Sequence, residues 1–177
     1  MKTKGILLFC IVIFLGNTIS AQPYKYIGAV KCKACHNVAA SGEQYNKWMK
    51  EPHSQAIKTL GNEKSWAYAK KNGIADPTKE PKCLKCHSTF HAIDPSLRMT
   101  ITEAESVSCE SCHGPGSVYK AIPIMRDQAK ALQSGLIIPD EKLCRTCHNK
   151  ENPFDKGFDY KVSLPVVMHP IPATATH

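Results

Sequence analysis

Apolar positions along the chain form one continuous run, followed by short clusters separated by Pro, Gly and charged residues. The run spans Ile6 to Leu15, behind Lys2 and Lys4 and ahead of small residues ending at Ala21. A basic start, a short apolar stretch and a small-residue exit are the pattern of a secretory signal. Cleavage is expected after Ala21, so residues 1–21 leave and residues 22–177 form the working domain. The run is shorter than the roughly 20 apolar residues that a membrane span needs. Cys10 lies inside it behind Phe9, which is a poor site for lipid attachment.

Beyond the signal the pattern is helical in short pieces, and the fold class it predicts is mainly α. Residues 42–49 read as a helix stopped ahead of Pro52, and 54–60 as another ended by Gly61. Asn62 caps a helix through Lys71 that Gly73 terminates. Residues 75–81 hold two prolines and read as a connecting loop. Residues 117–134 look largely helical with a break at Pro123, while Pro139 and Asp140 open a further helix. Strand character is confined to residues 99–102.

The cysteines decide how such a chain can be held together. Nine occur in 177 residues, and the eight beyond the signal would lead one to expect four disulfides in an exported protein. Their spacing points elsewhere. They fall as CKACH (Cys32, Cys35, His36), CLKCH (Cys83, Cys86, His87), CESCH (Cys109, Cys112, His113) and CRTCH (Cys144, Cys147, His148), with none left over. A shuffled chain of this composition would hold C-x-x-C-H on the order of 0.02 times.

The spacing has a chemical reason. Two thiols about one helical turn apart can add to the two vinyl groups on one porphyrin edge. The histidine that follows then turns beneath the ring and offers an imidazole nitrogen to the iron. Four-cysteine zinc sites do not require a histidine after every second cysteine. A redox C-x-x-C would need a thioredoxin-like context that the chain lacks. The pattern predicts four covalent c-type haems, with iron held by His36, His87, His113 and His148.

Four haems change two further readings. The formal charge of +8 becomes +6 without Lys2 and Lys4. Haem propionates bring it to about +2 oxidised and about −2 reduced, so the basic sequence does not argue for nucleic acid. Lys31, Lys33, Lys82 and Lys85 flank two haem edges, where they either steer acidic partners or form a solvated basic face. The motifs begin 51, 26 and 35 residues apart, leaving about 39 residues per haem. That is too few for four separate domains, so the porphyrins themselves must form most of the core.

The four remaining histidines decide what closes the far side of each iron. His53 follows Trp48 and Pro52 at the start of a helix. His91 follows His87 by four residues, so on one helix the two would share a face and could not clamp one ring. His169 sits in the apolar stretch LPVVMHP, beside Met168 as an alternative ligand, and His177 is the terminal residue. His53, His91 and His169 are expected as distal ligands, which leaves one iron of four open.

The stretches YIGAVKCKACH, KWMKEPHSQA, VSCESCHGPGSVYK and CRTCHNKENPFDKGFDY, with the closing VVMHP, together resemble the tetrahaem cytochrome c554 and c-prime family. Members accept electrons from hydroxylamine oxidoreductase in ammonia oxidisers. The resemblance runs from Tyr26 to about His169. It implies a helical fold around closely stacked haem pairs, three of the haems with two histidines and one five-coordinate, and it places the open iron on His87. One departure stands out. Many related multihaem chains have a histidine shortly after GPGS, whereas Val118 and Tyr119 follow here.

The expected function is an exported, periplasmic electron carrier passing single electrons between redox protein partners, with no catalytic residue. The alternative is a reductase of a small molecule such as nitric oxide at one five-coordinate haem. That chemistry would need a proton donor near the open face, for which Tyr119, Arg126 and His177 are candidates. A third reading, a repeating subunit of a haem wire, has no polymerisation signal behind it.

Overall fold

A computed structural model of the chain describes residues 24–169. The expected signal, Cys10 and His177 lie outside these residues. The fold is mainly helical, as the pattern predicts. Among the described residues, extended pairing is limited to one bridge between Tyr26 and Arg98, one residue ahead of the short strand expected from residue 99.

Among the described residues, eleven short α-helices follow one another. They are α1 (Ala29–His36), α2 (Gln44–Lys50), α3 (Ala56–Thr59), α4 (Glu63–Lys71), α5 (Pro81–His87), α6 (Thr89–Ala92), α7 (Cys109–His113), α8 (Ile122–Met125), α9 (Gln128–Gln133), α10 (Glu141–Cys144) and α11 (Tyr160–Val167). No described helix is long and apolar enough to cross a membrane.

Local capping chemistry sets many of the boundaries. Asn62 Oδ1 accepts from Ser65 N at 2.8 Å and starts α4, while Gly73 takes a positive φ beyond its end. Asp140 Oδ1 accepts from Leu143 N at 2.8 Å to start α10, and Asp159 caps α11 in the same way. Three expectations need correction. Pro123 does not break a helix; it sits in the first turn of α8, where its missing N–H costs nothing, and the break falls at Asp127, which caps α9. His87 and His91 do not share a helix, because Ser88 is extended and caps a new one, α6. The segment expected as a helix over 54–60 divides into a tight 3-10 turn, Pro52–Gln55, and the single turn of α3.

The apolar core is small. Among the described residues, the buried hydrophobic side chains are Ile27, Ala29, Trp48, Leu60, Ala69, Leu84, Ile101, Tyr119 and Ala131, of which three are alanine. Large apolar side chains including Val30, Ile122, Ile138, Val162, Val166 and Met168 stand more than half exposed. A chain of this length ordinarily buries far more.

Candidate haem-binding site

Each motif sits on or beside a short helix that ends at or within it. Motifs one, two and three close α1, α5 and α7, with His36, His87 and His113 as the last helical residues. In motif four the helix stops at Cys144, and Cys147 and His148 follow in tight turns. All eight motif cysteines are free thiols, so no disulfide framework holds the described chain.

The thiols of different motifs lie close together. Cys32 and Cys109 are hydrogen-bonded to each other, which lowers the first thiol's pKa and raises the second's. Burial pushes Cys86 up to about 11, with Cys147 hydrogen-bonded beside it. Burial also takes Cys112 up to about 11, in the field of Cys144 and Cys147. Motifs one and three therefore face each other, motifs two and four do likewise, and Cys112 joins the pairs.

Three motif histidines have one ring nitrogen held by an acceptor. His87 Nδ1 lies 2.8 Å from the Ala56 carbonyl and His113 Nδ1 lies 3.3 Å from the Ile137 carbonyl. A carbonyl only accepts, so in both rings Nδ1 carries the proton and Nε2 presents its lone pair. His36 Nδ1 is held at 3.2 Å by Gln44 Oε1. Such tethers fix ring orientation and raise ligand basicity. His148 stacks on Phe158 with ring centres 4.7 Å apart.

Of the expected distal ligands, the structure brings two to motif histidines. His53 faces His148 edge-on, with ring centres 5.9 Å apart and planes at 71°. Two imidazoles on opposite faces of one iron stand about 6 Å apart, given metal–nitrogen bonds of about 2 Å. Burial, with His148 nearby, holds the pKa of His53 below the ordinary imidazole value. His169 is lowered chiefly by burial, then by His113, Lys47 and His36, and its Nδ1 is buried without a hydrogen-bond partner. Neutral imidazole is the form that ligates. His91 is placed differently: its Nε2 donates to Glu103 Oε1 at 2.9 Å.

Tethered Nδ1 atoms, an orphaned buried imidazole nitrogen and a core short of apolar volume all fit covalent haem. Among the described residues, no cluster of three His, Cys, Asp or Glu is arranged to hold a bare metal ion.

A carboxylate inside motif three ties these parts together. Glu110 is 1% exposed and accepts from Ile27 N at 2.9 and 3.0 Å, Gly28 N at 2.7 Å and Gly116 N at 2.7 Å. Glu105 Oε2 accepts from Ala29 N at 2.7 Å. The N-terminus of α1 thus meets two carboxylates from the segment around motif three, which favours its dipole and fixes motif one against motif three. Trp48 Nε1 donates to the Val107 carbonyl at 2.9 Å, and Val107 N donates to the His53 carbonyl at 3.2 Å. Trp48 therefore holds the His53 turn beside the same segment. Sequence reasoning missed both glutamates. A signal for Glu110 was present, since its counterparts in the other motifs are Lys33, Leu84 and Arg145.

The fold and the site define a helical c-type cytochrome, a class that carries covalently bound haem iron. Residues 31–114, which take in the first three motifs, match the family of cytochrome c554 and c-prime. It is 30% identical over 116 residues to cytochrome c-554 of Nitrosomonas europaea, an alignment covering 59% of this chain and 44% of that protein. The chain thus spans less than half the length of the curated relative it matches. No solved structure matches it.

Proposed function

We propose that residues 22–177 carry four c-type haems and pass single electrons through them between exported redox partners, residues 1–21 being an export signal. The observation that carries this reading is the contact between thiols of different motifs, Cys32 with Cys109 and Cys86 with Cys147, with Cys112 between the groups. Attachment edges that close give an electron a continuous path from any motif to any other.

The haem supplies a reversible one-electron couple. The chain does the rest. Cys32, Cys35, Cys83, Cys86, Cys109, Cys112, Cys144 and Cys147 anchor the porphyrin edges, and His36, His87, His113 and His148 present Nε2 to iron. His53 would serve the same iron as His148, and His169 would serve the pair of motifs one and three. Tethered rings hold one geometry in both oxidation states, so little must move when an electron arrives. The iron of His87 is left without a second imidazole. The lysines around motifs one and two give acidic partners a landing face.

Pulse reduction of the purified protein by one electron, followed in the haem absorption bands, tests this. Redistribution among the haems is expected as a first-order phase with a rate independent of protein concentration. A rate that rises with protein concentration would mean that the haems of one chain are not connected.

A further inference from the structure

We propose that two of the four irons, not one, lack a second protein imidazole, so that the chain offers two sites for small diatomic ligands such as carbon monoxide. The proposal rests on the four-haem reading above and follows from where the structure places the non-motif histidines. The ring centres of His53 and His148 stand 5.9 Å apart, a separation that suits two imidazoles on one iron. His169 is a single imidazole beside both His113 and His36, so it closes one iron of that pair and leaves the other.

His91 does not make up the difference. Its Nε2 donates to Glu103 Oε1 at 2.9 Å, which places the proton on the nitrogen that would otherwise bind iron. Its ring packs edge-on against Phe90, with centres 5.3 Å apart, and Arg98 covers the Phe90 ring at 4.0 Å. These contacts all come from the segment that follows its own motif, and none comes from a cysteine or histidine of another. The break at Ser88 produces this arrangement by turning α6 away from the line of α5. The iron of His87 and one iron of the His36 and His113 pair therefore remain open.

The test counts open irons on the full-length holoprotein without any turnover assay. Integration of the high-spin ferric signal in electron paramagnetic spectra should give two per chain, and the ferrous protein should bind two equivalents of carbon monoxide. His53→Ala and His169→Ala should each raise the high-spin count to three. His91→Ala and His177→Ala should leave it at two. A count of one or none in the parent protein overturns the proposal, as does a rise in either of the last two variants. A pyridine haemochrome assay on the same sample separates the two readings, because a haem content other than four refutes the four-haem reading itself.

Discussion

Glu110→Ala is predicted to be the most destabilising single change outside the haem ligands. The substitution removes a carboxylate that is 1% exposed and strips the acceptor that Ile27 N, Gly28 N and Gly116 N share. Each buried N–H left unpaired costs about 1–3 kcal/mol. Relief from burying the charge offsets part of that loss, and the net effect is expected at about 3–5 kcal/mol. In a chain of this length that lowers Tm by about 6–20 °C. Glu110→Gln keeps one acceptor oxygen but turns an amide donor toward backbone donors, so about half of the loss should remain. The assay is guanidinium unfolding of the holoprotein, followed by far-ultraviolet circular dichroism and by the haem band. The reasoning fails if Glu110→Ala costs less than about 1 kcal/mol, or if the glutamine variant matches the parent.

Gly28→Ala should cost about 2–3 kcal/mol. Its φ is +86°, and a Cβ there would collide with Glu105 Oε1 and lie 3.1 Å from the Ile101 backbone; Gly73→Ala, with φ +70° in open space, should cost only about 1 kcal/mol in the same unfolding assay. Trp48→Phe removes the hydrogen bond to the Val107 carbonyl and should cost about 1–2 kcal/mol, read as a lower guanidinium midpoint. Burial lowers the imidazole pKa of His53, His113, His148 and His169, so the unfolded chain binds more protons than the folded one as pH falls below about 6.5. Stability is therefore full at neutral pH and lost toward acid. The guanidinium midpoint should be lower at pH 5.5 than at pH 7.5, and an equal or higher midpoint would refute the assignment of these rings as neutral.

What could be read in the sequence was whatever short-range chemistry decides. Asn62 and Gly73 frame α4, Asp140 starts α10, and the four motifs are complete within five residues each, so each carries its meaning locally. Ser88 was less legible, because serine both tolerates a helix and caps one, and its extended backbone is selected by Thr89 bonding to the Ser106 carbonyl 17 residues away. The helix α11 was not anticipated, with Pro165 inside it. Glu110 was hidden for a related reason. Two of its partners are backbone groups 83 and 82 residues earlier in the chain, and a backbone N–H leaves no mark on the sequence. Pairings between imidazoles are equally long-range: His53 and His148 meet although 95 residues separate them in the chain.

The central claim is that each C-x-x-C-H motif anchors one haem, and counting haems on the purified chain tests it most directly. Intact mass of the purified protein, read beside its pyridine haemochrome, should show a chain lacking residues 1–21 and carrying four porphyrins that acidified acetone does not extract. Three or fewer haems, or porphyrin lost to the solvent, would contradict it.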